Sequence, residues 1–210
     1  MCGGSLLNPY WVLTAAHCFG VSIIPREWQV GVGKHYLMQA EKGVEAIGLA
    51  DIIIHPQYNS HTSYNDIALL RLKQPVNMTS RISTICLPTQ PQRIGQNCYV
   101  TGWGDSFDTC CPDVLKQAMV PVLNTTLCNS TNHYNGRVLD SMFCAGYTSQ
   151  HIDACHGDSG GPLVSLYSDG KWYLQGIISW GIGCADLKHP GIYTDVYKFN
   201  SWIQAVVYQK

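Results

Sequence analysis

The sequence predicts an all-β protein built as two antiparallel β-barrels in tandem, with a short C-terminal helix. Short runs rich in Val, Ile, Trp and Tyr recur between Gly, Pro and Asn turns, the spacing of an antiparallel barrel or sandwich. Helical periodicity is confined to two places. The stretch Leu87-Pro88-Thr89-Gln90-Pro91-Gln92-Arg93 reads as a linker between two sets of runs.

The first set comprises Gly4 to Leu7, Trp11 to Thr14, Trp28 to Val32, Val44 to Ile54 and Ile67 to Leu72. The second comprises Cys98 to Trp103, Gln117 to Val122, Met142 to Ala145, Pro162 to Tyr167, Trp172 to Trp180 and Gly191 to Val196. An N-terminal barrel over about 1–92 and a C-terminal barrel over about 93–210 then form a single domain, with no obvious internal repeat and no low-complexity segment. Thr125 to His133 reads as a short helix. Val196, Phe199, Trp202, Ile203, Val206 and Val207 recur at helical spacing, a stripe suited to docking on a barrel.

The chain has 210 residues, 46% hydrophobic and 13% charged, with a formal net charge of -1. That is ample for a packed core and gives no electrostatic case for nucleic acid or an anionic membrane as partner. Ten cysteines and the N-x-S/T sequons at Asn77, Asn124 and Asn129 argue for an oxidising, secretory route. No segment approaches the ~20 apolar residues of a membrane span. Met1-Cys2-Gly3-Gly4 has neither the charged start nor the apolar centre of a signal peptide. Secretory contents behind such a start point to a fragment, an alternative start or an incomplete gene model.

The chemistry centres on Asp153-Ala154-Cys155-His156-Gly157-Asp158-Ser159-Gly160-Gly161-Pro162. A serine hydroxyl attacks poorly at neutral pH unless a base takes its proton and donors stabilise the oxyanion that follows. Glycines around Ser159 let backbone N–H groups turn toward that oxyanion. Alone, the stretch reads equally well as a Gly-rich turn holding an incidental serine. Two partners upstream decide between these readings. His17 closes the apolar run Leu13-Thr14-Ala15-Ala16-His17-Cys18 in a small-residue turn, as a base held at a fixed angle would. Asp66 heads the apolar run Asn65-Asp66-Ile67-Ala68-Leu69-Leu70, where a buried carboxylate needs a donor, as an orienter of that base would have. The other seven histidines lack such settings and read as surface or loop residues.

With these stretches in hand, the chain resembles the trypsin-like serine endopeptidases of the chymotrypsin family, from Cys2-Gly3-Gly4-Ser5-Leu6 to Trp202-Ile203. The order His17, Asp66, Ser159 matches that family. Gly157-x-Ser159-x-Gly161 also fits the nucleophile elbow of an α/β-hydrolase, but that fold needs a helix directly after the serine and a later acid and histidine. Gly160-Gly161-Pro162 would break the helix, and the only later histidine, His189, lies in a Lys-His-Pro-Gly turn.

The resemblance implies disulfides Cys2–Cys18, Cys128–Cys144 and Cys155–Cys184. The first closes a loop of about fifteen residues ending at the base, worth about 3 kcal/mol in a chain-entropy treatment. It also implies that Asp153 floors the primary specificity pocket, with Ser179, Trp180 and Gly181 as one wall and Gly191 across from it. Glycines at 181 and 191 leave room for a long side chain, and a carboxylate at the closed end of a slot wants a cation. Lys or Arg before the scissile bond follows. His17 takes the proton of Ser159, Asp66 fixes the imidazole tautomer, and the N–H groups of Gly157 and Ser159 bind the oxyanion, with Ser179 helping to orient Asp66. No metal or organic cofactor is required. Some relatives hold calcium near residues 34–45, but Lys34 and Lys42 among Glu41 and Glu45 make a poor oxygen cage, so none is expected.

The sequence also departs from the family. Mature relatives begin with a short apolar segment whose α-amine pairs with the aspartate before the nucleophile, here Asp158, and this sequence starts past that point. The first barrel is therefore expected to be incomplete. One member of a buried pair left alone costs ~3–5 kcal/mol, enough to turn Asp158 away and distort the N–H groups beside it. Cys86 matches a position that in multi-part relatives bonds to a preceding chain or propeptide. Cys98 lacks its usual partner, which Ser165 replaces, so a bond to Cys110 or Cys111 is a candidate. Adjacent Cα atoms ~3.8 Å apart make a Cys110–Cys111 bond strained. The leading function is thus the catalytic domain of a secreted or membrane-tethered endopeptidase cleaving after Lys or Arg. The alternative is a catalytically silent relative that binds proteins through the old cleft.

Overall fold

A computed structural model describes residues 1–106 and 112–208. Among them, eleven strands form two curled antiparallel sheets, followed by one short C-terminal helix. The first sheet holds β1 (Ser5–Asn8), β2 (Trp11–Thr14), β3 (Gln29–Val32), β4 (Glu45–Ile54) and β5 (Ala68–Leu72), in the order β1-β2-β5-β4-β3. The turn between β1 and β2 is closed locally: the Asn8 side chain accepts from the Tyr10 N–H at 2.9 Å, an Asx turn. Strand periodicity then sends Ile47 and Leu49 of β4 inward to meet Leu13 and Leu69, all buried.

The second sheet holds β6 (Asn97–Gly102), β7 (Lys116–Pro121), β8 (Met142–Ala145), β9 (Pro162–Leu166), β10 (Trp172–Trp180) and β11 (Gly191–Asp195), in the order β7-β6-β9-β10-β11-β8. Its own core gathers Val100, Val120, Leu163, Phe143 and Tyr193. Leu174 and Ile177 of β10 belong instead to the same apolar cluster as Leu13 and Leu69. The two sheets are therefore joined through a shared core. The 87–93 stretch, expected as a linker, is tied down at two points: Asn200 Nδ2 donates to Pro88 O at 2.7 Å, and Gln92 Nε2 to Asp195 Oδ2 at 3.3 Å.

The expected helix over 125–133 is shorter than its sequence suggests. Only α1 (Thr125–Cys128) forms, with the Asn124 side chain capping it through the Thr126 N–H. Asn129 stops it by spending its side-chain amide on both backbone groups of Val138, each at 2.9 Å. Ser130, Thr131 and Asn132 have little helical preference with which to resist. The terminal helical stretch is a 3-10 turn, Val196–Phe199, followed by α2 (Asn200–Val207). Ile203 is fully buried, and the His55 ring lies edge-on to Phe199 and Trp202 at 5.2 and 5.0 Å, so α2 docks on the first sheet.

Disulfides join Cys2–Cys18, Cys128–Cys144 and Cys155–Cys184. The suggested bond from Cys98 to Cys110 or Cys111 is corrected on the Cys98 side: Cys98 is a buried free thiol whose pKa burial pushes up to about 12. Cys110 and Cys111 lie outside the described residues. Cys86 is a half-buried free thiol whose N–H donates to Trp172 O.

Candidate active site

Asp66 is the best-defined member of the site. It is fully buried just ahead of β5, and its carboxylate accepts three hydrogen bonds. His17 Nδ1 donates to Oδ2 at 2.7 Å, the His17 N–H to Oδ1 at 2.8 Å, and Ser179 Oγ to Oδ2 at 2.5 Å. With Nδ1–H held by the carboxylate, Nε2 of the neutral ring is the free basic nitrogen. The imidazole is 28% exposed against 0% for Asp66, so the ring bridges a buried charge and solvent.

Local geometry explains these contacts. His17 lies in a 3-10 turn, Ala16–Phe19, directly after β2 and beside the Cys2–Cys18 disulfide. Pairing of β10 with β11 shifts register between Ile178 and Trp180, so Ser179 sits at an irregularity, a common way to re-aim a side chain. Two supports were not anticipated from sequence. Asn65 takes a left-handed backbone conformation, φ 54°, with its Nδ2 donating to Gln57 O at 3.1 Å. Asn tolerates that conformation better than most residues, which is the one signal its sequence position offered. Thr194 Oγ1 donates to the Asp66 carbonyl at 2.8 Å from 128 residues away, a contact with no local signature.

Ser159 is brought to the same junction through its backbone. Its carbonyl accepts from the Gly3 N–H at 2.8 Å. Gly160 follows at φ 75°, where a Cβ would lie 2.4 Å from Thr14 Oγ1 and 3.1 Å from Cys18 Sγ. Only glycine lets the serine turn sit this close to the segment that carries His17. Gly157 also has positive φ, 100°, and backs onto the Cα of Gly104. Among the described residues, neither the Gly157 nor the Ser159 N–H donates within the chain. The Asp158 carboxylate accepts from the N–H groups of Gly104 at 2.7 Å and Cys155 at 3.0 Å. It faces a cavity of about 550 Å³ that also touches Leu6, Val30 and Trp103.

Asp153 accepts from the Ala154 N–H at 2.8 Å and the Ala185 N–H at 3.4 Å. Burial raises its pKa to about 6, against the lowering effect of those N–H donors and with a further raising contribution from the Asp158 charge. A Cβ on Gly191 would lie 2.8 Å from Asp153 Oδ1, whereas one on Gly181 would meet nothing nearer than Gly183 O at 3.7 Å. Gly191 thus keeps the approach to the carboxylate clear, and Gly181 lines open space. The Trp180 ring packs edge-on against Tyr134 with Arg137 above it at 5.3 Å. The buried Tyr193 hydroxyl, 3.1 Å from the same Gly191 Cβ position, has no hydrogen-bond partner among the described residues, a feature that sequence reading missed. A second cavity, about 370 Å³, reaches Asp153 from the side of Lys116, His151 and Cys184, and its lining does not include Ser159 or Gly191.

In the 34–45 segment, Lys34 Nζ donates to Leu37 O at 2.8 Å, and Glu41 accepts from the N–H groups of His35 and Tyr36. An ammonium and backbone donors there disfavour a divalent cation. The histidine and cysteine groups close enough to suggest a metal site, Cys2-His17-Cys18 and Cys155-His156-Cys184, have their sulfurs committed to disulfides.

Two curled antiparallel sheets, with a buried carboxylate bonded to a partly exposed imidazole at their junction, define a class in which the comparisons agree. A family model described as Trypsin matches residues 1–203, so the chain belongs to the trypsin family, as a trypsin-like serine endopeptidase domain of the chymotrypsin family. It is 42% identical over 208 residues to "Cationic trypsin-3" of Rattus norvegicus, covering 98% of this chain and 79% of the relative. It is likewise 42% identical to "Trypsin-3" of Homo sapiens, covering 98% of this chain and 64% of the relative. "Transmembrane protease serine 11C" of Mus musculus is 42% identical over 205 residues, and there the chain spans 96% of itself and 47% of the relative. Among the described residues, no helix is long and apolar enough to cross a membrane.

Proposed function

We propose that this chain hydrolyses peptide bonds after Lys or Arg through an acyl-enzyme on Ser159. The observation that carries the reading is the Asp66 carboxylate bound to the His17 ring at 2.7 Å, an orienter fixing a base in one tautomer. Ser159 Oγ attacks the scissile carbonyl carbon while His17 Nε2 takes its proton, and the carbonyl oxygen becomes an oxyanion received by the Gly157 and Ser159 N–H groups. Collapse breaks the C–N bond as His17 returns the proton to the leaving amine. Water, deprotonated by the same ring, then cleaves the ester. Asp153, half-buried and reached past Gly191, supports selection of a cationic side chain, with Ser179, Trp180 and Gly181 as the wall beside it.

The partners are then proteins or peptides with Lys or Arg before the cut. Three disulfides and exposed sequon residues at Asn77 and Asn124 support a secreted or extracellular setting. Cys86, a free thiol, is available to an upstream chain or propeptide. Asp158 beside a cavity supports a further dependence, on an α-amine supplied by residues upstream. A silent binding module is the competing function.

A peptide phosphonate with a basic side chain separates these readings. It is applied to the 210-residue chain and to a form extended upstream with a cleavable activation site. The extended, cleaved form is expected to label at Ser159, and Ser159→Ala to abolish the signal. Equal labelling of the short form would remove the role given to the α-amine. No labelling of either form would leave the silent module.

A further inference from the structure

The two sheets are clamped together at a point remote from His17. The Trp103 indole just after β6 and the backbone before β7 both dock on the 35–39 loop of the first sheet. His35 O accepts from both arms: from Trp103 Nε1 at 3.1 Å and from the Leu115 N–H at 2.9 Å. Tyr36 and Val114 form an antiparallel bridge, and the Leu37 N–H donates to Asp113 O at 2.7 Å. The Asp113 side chain completes the clamp, Oδ1 accepting from the Met38 N–H at 2.7 Å and Oδ2 from Gln39 Nε2 at 2.6 Å.

The first of those arms also supports the Ser159 turn. The Gly104 N–H donates to Asp158 Oδ1 at 2.7 Å, and the Asp105 N–H donates to His156 O at 2.8 Å. The Gly104 Cα backs Gly157, whose own Cβ would lie 3.1 Å from it. The 103–105 arm thus holds the His156 carbonyl on one side of Gly157 and the Asp158 side chain on the other. Lys116 Nζ reaches back to Ser106 Oγ at 3.0 Å, so the two arms are also linked to each other.

We propose that Asp113 is a positioning residue for the oxyanion-binding N–H groups of Gly157 and Ser159. Its side chain clamps residues 38 and 39 of the loop whose His35 O holds the Trp103 indole, and thereby fixes the Trp103–Asp105 arm against the 155–158 turn. This rests on the reading of Ser159 as nucleophile. Donors aimed at a developing charge act only when held in place, and losing one outright costs ~10²–10³-fold in kcat. Substrate held mainly through Asp153 would bind as before, so the loss falls on turnover.

The test compares wild type, Asp113→Ala and Asp113→Asn, each as the upstream-extended, cleaved form, in two measurements on the same preparations. Hydrolysis of a short arginyl amide gives kcat and KM, and hydrogen exchange follows peptides covering 103–106, 155–159 and, as a control, β8. Asp113→Ala is expected to lower kcat about tenfold or more with KM within about twofold. It should speed exchange at 103–106 and 155–159 while β8 stays protected. Asp113→Asn, which keeps one acceptor oxygen for the Met38 N–H, should recover part of both losses. Unchanged exchange at those two segments, or a loss confined to KM, overturns the role of Asp113. If wild type itself shows no turnover, the nucleophile reading fails, and exchange still decides whether the clamp holds the turn. If Asp113→Ala does not fold, Asp113→Asn carries the comparison with the same outcomes.

Discussion

Asp153 carries the sharpest pH consequence of any single residue. Its folded pKa of about 6 lies above the ordinary carboxylate value because burial disfavours the charged form. In the unfolded chain the group ionises first, so its contribution to stability is present below about pH 4 and is lost as pH rises to about 6. A cationic ligand has the opposite preference, since it needs the carboxylate. Benzamidine affinity is therefore expected to fall roughly tenfold per pH unit below about 6, with close to one proton released per ligand bound near pH 5. Titration calorimetry in two buffers checks this. An affinity flat between pH 5 and 7 would mean that Asp153 does not meet the ligand or that its carboxyl pKa is not raised in the free protein. Asn129 makes a different residue-scale prediction. Its side-chain amide is spent on Val138 at both ends, whereas Asn77 and Asn124 are exposed. Glycopeptide mapping should find sugar at 77 or 124 and none at 129.

At the scale of elements, runs of β-forming residues between turn residues delimited the strands to within a residue or two, including β8 and β11, which are buried on both faces and so show no alternation. The short helix was over-read because a side chain bonding across nine residues to Val138 cannot be heard in local periodicity. The same limit hid Thr194 and Asn65 behind Asp66: one acts from a distant strand, the other through a backbone angle. The 3-10 turn that carries His17 is stapled by Cys2–Cys18, which makes a direct prediction. Replacing both cysteines with alanine should lower stability by about 3 kcal/mol in denaturant titration, with the midpoint shifted and the slope little changed. A loss well under 1 kcal/mol would mean that β1 and β2 hold the turn unaided.

For the whole molecule, the site exists because two sheets share one core. Leu174 and Ile177 of β10 pack with Leu13 and Leu69, so packing that joins the sheets also brings Ser179 to Asp66 and the Ser159 turn to the His17 segment. His17, Asp66 and Ser159 could be proposed from sequence because each sits in a compact motif whose residue types have a chemical reason, whereas Asp153 came only through the family resemblance. The Asp113 clamp was not, because it joins residues 75 apart through backbone groups that every sequence possesses. The most direct measurement is active-site titration with p-nitrophenyl guanidinobenzoate, using the form that labels best, followed by mass analysis of the acylated peptide. A burst of one nitrophenolate per chain is expected, with the guanidinobenzoyl group on Ser159 and no burst from His17→Ala. Steady release without a burst, equal in Ser159→Ala, would contradict a serine acyl-enzyme.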